Sequence, residues 1–222
     1  MFGMFFFCSL LPGRPYVFQL RAVNRVGPGQ WSEPFEAVSG AGPPEAPHSP
    51  HVGCKSPHII TASWDEPINN GAVVQSYSVE VAEVCLSHPE SSESSSICGD
   101  SETTELTFTT AATTNVPSAD IRHLQPDTTY AVRVCGINSA GMGAFSSHCV
   151  ITTPPSTPSA PPHISTTTSS SSITLHWTEP KCNGDGIRHY VIDLVDTTRS
   201  FSTEGPVLEY TIPECEPDTS YK

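Results

Sequence analysis

The sequence predicts an all-β chain made of consecutive copies of one antiparallel module, with the first and last copies truncated. Three observations predict it. Short runs rich in Val, Ile, Thr, Tyr and Phe are punctuated by 22 Pro and 15 Gly, and no window sustains an apolar 3.6-residue period. Residues 10–32 lie on residues 124–146 without a gap: Leu10 on Leu124, Pro12 on Pro126, Tyr16 on Tyr130, Asn24 on Asn138, and Gly27 and Gly29 on Gly141 and Gly143. The block from Trp64 to Tyr77 recurs from Trp177 to Tyr190 with the same separation of 13 residues, carrying Pro67 onto Pro180 and Asn70-Gly71 onto Asn183-Gly184.

In residues 1–40, Tyr16, Phe18, Leu20 and Ala22 alternate with Val17, Gln19, Arg21 and Val23, the pattern of a strand with one buried face. Arg25 to Gln30 turns, and Trp31 to Ser39 returns as a second strand. A lone hairpin is marginal in water, so this is read as the C-terminal part of a domain. The opening MFGMFFFCSLL lacks a basic n-region and a cleavage site and is too short to span a bilayer. It is read as a strand edge, with Phe7 in the place of Ile121. Residues 41–50, with four prolines, form a stiff linker.

Residues 51–154 read as one complete domain. Ile59 to Trp64 is a strand, Glu66 to Gly71 a turn, and Val74 to Val84 a strand with Tyr77, Val79 and Val81 on one face. A low-complexity insertion occupies the region near 86–118, because Tyr77 to Tyr130 spans 53 residues where Tyr190 to Tyr221 spans 31. Its serine-acidic part predicts a mobile loop at about 88–103, since it cannot bury enough apolar surface to order itself. Glu105 to Thr109 is expected to form a short strand, and residues 124–146 the closing hairpin. Residues 155–159 form a second linker. Residues 160–222 repeat the first part of the module, with Thr166 to Ser172 as a turn and PDTSY at 217–221 repeating PDTTY at 126–130.

This signature resembles the fibronectin type III domain. Leu124, Pro126, Thr128, Tyr130, Asn138, Gly141, Gly143 and Ser146 are similar to the second half of the family pattern, and Trp64, Pro67 and Tyr77 to the first. Departures are Arg14 in the place of Thr128 and Thr219, and Cys215 in the place of leucine. The resemblance implies tandem immunoglobulin-like antiparallel β-sandwiches of seven strands, three packed on four. It implies core positions for Trp64, Tyr77, Leu124, Trp177 and Tyr190, and tyrosine corners at Tyr16, Tyr130 and Tyr221, whose hydroxyls bond upstream backbone. Gly141 and Gly143 are expected to supply positive φ in the hairpin loop. The wording of 64–83 and 124–146 is similar in particular to the multi-repeat family called fibronectin type III domain-containing protein 3. That resemblance implies a parent with many repeats and one C-terminal membrane anchor, in the Golgi or endoplasmic reticulum or at the cell surface.

Chemistry is sparse. His48, His51, Cys54 and His58 have ligand-type side chains, but Pro50 and Pro57 stretch the backbone and spread them over roughly 30 Å, so no metal site is expected. Cys135 and Cys149 are equidistant from a loop centre placed at Met142, which makes them the candidate disulfide pair, with two free thiols as the alternative. No Gly-x-Ser-x-Gly elbow or His-Glu-x-x-His helix is present, and the glycine pairs sit between strands and do not open helices. No catalytic residue, cofactor or metal is expected. Ser91 to Ser101 places hydroxyls beside acidic residues, a context for phosphorylation or a plain solvated spacer. The eight cysteines are too irregularly spaced to define a disulfide framework.

A net charge of −13 with only 10 Lys plus Arg excludes a nucleic-acid or anionic-membrane surface, which needs clustered cations. The function expected is a non-catalytic spacer and protein-binding scaffold inside a larger protein, its partners other proteins. The alternatives are part of an adhesion or receptor ectodomain, or an accessory module of an extracellular enzyme.

Overall fold

The computed structural model describes residues 10–84, 106–195, 198–216 and 219–221. The strand edge expected at Phe7, the loop expected at 88–103 and part of the 217–221 repeat lie outside the described residues. Among the described residues all regular elements are strands, and the chain divides into two compact units, Met1–Leu124 with Thr128–Thr152 and Gln125–Asp127 with Thr153–Lys222.

In the first unit, β1 (Pro15–Phe18) and β2 (Phe35–Val38) pair antiparallel with Phe18 opposite Phe35. Both are shorter than the alternation predicts. Beyond Phe18 the hairpin continues through isolated bonds, Ser32 N–H to Leu20 O at 2.8 Å and Gly29 N–H to Ala22 O at 2.8 Å, in a drifting register that breaks the ladder. Val17, Leu20, Phe35 and Val38 are exposed.

The strands that follow are β3 (His51–Ser56), β4 (Ile59–Ser63), β5 (Ser76–Glu83), β6 (Thr109–Thr114), β7 (Ser118–Ile121), β8 (Thr129–Asn138), β9 (Gly141–Met142) and β10 (Cys149–Thr152). They form two antiparallel sheets, β3-β4-β7 and β10-β8-β5-β6, with the two-residue β9 also on β8. That is three strands and four, plus one short ladder step. β6 lies later than the strand expected at 105–109. Thr109–Thr114 pairs with Val81–Tyr77, and a bulge opposite Val79/Glu80 takes up one residue. Phe108 is thereby left outside the ladder.

The two sheets supply a core of Ile60, Ala62, Trp64, Tyr77, Val79, Ile121, Leu124, Tyr130, Val132 and Val134. Alternation explains the set: Tyr77 and Val79 on β5, Tyr130, Val132 and Val134 on β8, and Ile60 and Ala62 on β4 are spaced by two and face one side. Ile60, Val79, Val132 and Val134 are wholly inaccessible. Each such side chain contributes about 1.5–3 kcal/mol from burial alone.

The second unit holds β11 (Ile164–Thr168), β12 (Ile173–Trp177), β13 (Val191–Asp193), β14 (Ser200–Ser202) and β15 (Glu209–Ile212). They form the sheets β11-β12-β15 and β13-β14. The turn expected over 166–172 is confined to the residues after Thr168, where Ser169 N–H donates to Ser172 O at 2.9 Å. Trp177, Leu194 and Ile212 are buried.

Candidate functional site

The aromatic markers pair in both units. Trp64 meets Tyr77 edge to face at 5.3 Å and 65°, and Trp177 meets Tyr190 at 5.0 Å and 63°. Edge-to-face geometry suits the ring quadrupoles. The Tyr16 hydroxyl accepts the Leu11 N–H at 2.7 Å, and the Tyr221 hydroxyl accepts the Glu216 N–H at 2.8 Å, each five residues upstream. Leu124 and Tyr130 are buried, while Tyr16 and Tyr190 are half-buried. These residues hold the sheets together and make no reactive constellation.

Cys135 and Cys149 stand apart. Cys149 lies opposite Val132, and both thiols are free. The register differs from the expected one because Asn138 pairs with Gly141 and Ile137 with Met142. The hairpin therefore turns at Ser139-Ala140, and Met142 is already on the returning strand. Burial raises the Cys135 thiol pKa above its ordinary value.

The histidine-rich stretch is also dispersed. The Cys54 thiol donates to Thr152 O at 3.3 Å, and His58 Nδ1 lies 2.8 Å from Leu124 O, a contact that needs the proton on Nδ1. Among the described residues no group of three or more His, Cys, Asp or Glu could hold a metal ion.

Three arrangements were not legible as chemistry in the sequence. On the β8-β5 sheet, the Arg133 guanidinium lies between two rings, 3.9 Å from the Phe108 centroid and 4.2 Å from the Phe145 centroid. Two of its N–H groups donate to Glu80 Oε2 at 2.9 and 2.7 Å, across the register pair Glu80/Arg133. This stacks an aromatic, a cation and an aromatic into one half-exposed face. Beside it, among the described residues, β6 ends its sheet with a threonine-alanine edge, TTAATT, free of charge and proline. Such an edge can accept another strand.

On the other sheet, Asp120 accepts from Thr61 at 2.9 Å and lies 3.3 Å from Lys55 and 3.0 Å from Arg122. The Thr61 hydroxyl first, then Lys55, hold its carboxyl below the usual carboxylate range.

The third arrangement uses the ends of the closing hairpin. Asn138, buried, directs Nδ2 to Gly42 O at 2.9 Å, Asn69 O at 3.0 Å and Ala72 O at 3.2 Å, while its Oδ1 accepts from Ala140 at 2.9 Å and Gly141 at 3.2 Å. Ser146 carries the ladder across an irregular stretch: Val134 N–H donates to its Oγ at 3.1 Å and its own N–H to Val134 O at 2.8 Å. Ser32 does the same for Leu20 in the first copy, at 3.0 and 2.8 Å. Gly141 has φ +137°, as expected, but Gly143 has no such φ. Its need for glycine is steric, because a Cβ there would lie 2.3 Å from Pro44 O.

Two sheets of three and four antiparallel strands, a paired Trp and Tyr, a tyrosine corner and a serine-patched hairpin define a β-sandwich of one particular class. Residues 45–152 match the fibronectin type III domain, and this part of the chain belongs to that family. Over 96% of its length the chain is homologous to fibronectin type-III domain-containing protein 3A. It is 33% identical to the mouse protein over 227 residues, which cover 96% of this chain and 17% of that protein, and 34% identical to the chicken protein over 229 residues, with the same coverage. The chain thus spans about a sixth of the length of these relatives. Among solved structures, the sixth fibronectin type III domain of human fibronectin type III domain containing protein 3 is 27% identical, covering 55% of this chain and 96% of that domain, with a TM-score of 0.39.

Proposed function

We propose that these residues are a non-catalytic tandem fibronectin type III segment, a spacer and protein-binding scaffold within a larger protein. The observation that supports this is the repetition of one structural module in order along the chain, with side chains directed to packing and joining strands. Its partners are other proteins. The charge of −13 repels phosphate backbones, whereas the β6 edge and the Arg133 face offer backbone and aromatic contacts. Among the described residues no helix is long and apolar enough to cross a membrane. Attachment of the parent by a single span elsewhere belongs to the same proposal.

The test is proximity labelling of the full-length protein, with residues 51–152 intact or replaced by an unrelated module of equal length. Loss of a defined set of neighbours supports the scaffold. An unchanged set overturns it and leaves a spacer alone.

A further inference from the structure

We propose that the Asn70-Gly71 turn between β4 and β5 is a docking seat for the turn that precedes β1, so that within the first unit it fixes the strands β3–β10 against the β1–β2 hairpin that arrives before them. This rests on the spacer reading and gives it a mechanism.

The contact is backbone on backbone. Gly13 has φ +65°, and a Cβ there would lie 2.5 Å from Asn70 C and from Gly71 N. Gly71 has φ +90°, and a Cβ there would lie 2.7 Å from Gly13 Cα. The two segments approach this closely here because neither Gly13 nor Gly71 carries a side chain. Asn70, at φ +52°, is a residue type that tolerates this left-handed region.

The linker is fastened to the same turn. Gly42 N–H donates to Asn70 O at 3.0 Å, Asn70 Nδ2 to Pro43 O at 2.8 Å and Glu45 N–H to Ile68 O at 2.9 Å. Asn138 Nδ2 donates to Gly42 O at 2.9 Å. Gly13 N–H closes the entry by donating to Gly40 O at 2.9 Å. Pro44, Pro47 and Pro50 are buried, and their spacing of three is one face of an extended proline helix laid on the domain. A segment with its donors, acceptors and one face all engaged has little freedom left as a hinge.

The same parts recur inside the second unit, which argues for a built feature. Asn183 and Gly184 have φ +55° and +96°. Ser156 N–H donates to Asn183 O at 2.9 Å, Asn183 Nδ2 to Thr157 O at 2.7 Å, and Ser159 N–H to Lys181 O at 3.0 Å. A Cβ on Gly184 would lie 2.3 Å from Asp127 Cβ, and Asp127 occupies the place of Gly13 in the repeat. Three left-handed residues and three hydrogen bonds therefore recur at matched positions, Gly13, Asn70 and Gly71 answering to Asp127, Asn183 and Gly184.

The experiment uses the 222-residue chain, with NMR residual dipolar couplings for β1–β2 and for β5–β8 and amide exchange at Gly42 and Glu45. In the unaltered chain one alignment tensor should fit both sets. Gly13→Ala, which drives a methyl into Asn70-Gly71, should shrink the β1–β2 couplings. It should also speed exchange at Gly42 and Glu45 about tenfold or more. Gly40→Ala, with nothing within 4 Å of the added Cβ, should change neither. Should Gly13→Ala unfold the hairpin, Asn70→Gly keeps the left-handed backbone and removes only the bond to Pro43; it should speed exchange at both amides while β8 stays protected. Separate tensors in the unaltered chain, or Asn70→Gly exchange equal to wild type, would overturn the docking seat. Neither outcome touches the neighbour set read by proximity labelling, so failure of the joint and failure of the scaffold are distinguishable.

Discussion

At the scale of single residues, polar side chains in this fold act by holding particular backbone or side-chain groups, and their loss has predictable signs. Asp120 is ionised in the folded state with a lowered pKa, so it contributes stability that is present above the unfolded carboxyl value of about 3.9. That contribution is lost as pH falls through the lower folded value. Urea unfolding should therefore show wild type ahead of Asp120→Asn near neutral pH, with the gap closing below about pH 4. A gap that is independent of pH would remove the carboxylate as the cause. Arg133 is half-buried between Phe108 and Phe145 and paired to Glu80. Arg133→Ala should lower stability by about 1–3 kcal/mol, and Arg133→Lys should restore little, because an ammonium cannot stack flat between two rings. Denaturant midpoints of the three proteins decide it. The Cys135 thiol is buried and Cys54 is exposed. Brief alkylation of the native chain followed by peptide mass mapping should mark Cys54 and spare Cys135, whose raised pKa also lowers its thiolate fraction.

At the scale of strands, alternation decides which residues matter. Ile60 on β4 is wholly inaccessible, whereas Val150 on β10 is 55% exposed. Ile60→Ala should cost about 2–5 kcal/mol, and Val150→Ala should stay within about 0.5 kcal/mol, both measured by chemical unfolding. This division was legible in the sequence, because period-two runs and constant Trp-to-Tyr spacing report directly on faces and repeats. The register of the closing hairpin was not. The glycines at 141 and 143 look like its apex, yet the buried Asn138 side chain closes the turn at Ser139-Ala140, and after an irregular stretch Cys149 comes opposite Val132, away from Cys135. Counting from composition cannot see a side chain that substitutes for backbone, and Ser146 is hidden the same way. The position of β6 was missed for a related reason. Phe108 falls within the strand expected at Glu105 to Thr109, but its ring stacks on Arg133 of β8. The roles of Asn70, Gly71 and Gly13 were likewise illegible, since each depends on a contact between segments more than fifty residues apart.

At the scale of the molecule, cohesion is uneven. The core cluster of the first unit, together with the hydrophobics packed against it, runs from Val52 to Ile151. The β1–β2 hairpin exposes Leu20, Trp31 and Phe35, and in the second unit all five residues of β11 are exposed. Burial of apolar surface is the main favourable term in folding, so resistance to opening should follow this distribution. Native-state hydrogen exchange is expected to rank the amides of β5 and β8 slowest. Those of β1 and β2 should exchange faster, though slower than free peptide because the linker is fastened at Gly42 and Glu45. Those of β11 and β13 should be fast as well. A single cooperative melt by calorimetry would accordingly report residues 51–152, with the remainder contributing a shallow slope. Equal protection across Ile164–Ile212 and β8 would contradict this ranking and require cohesion in the second unit that its exposed strands do not supply.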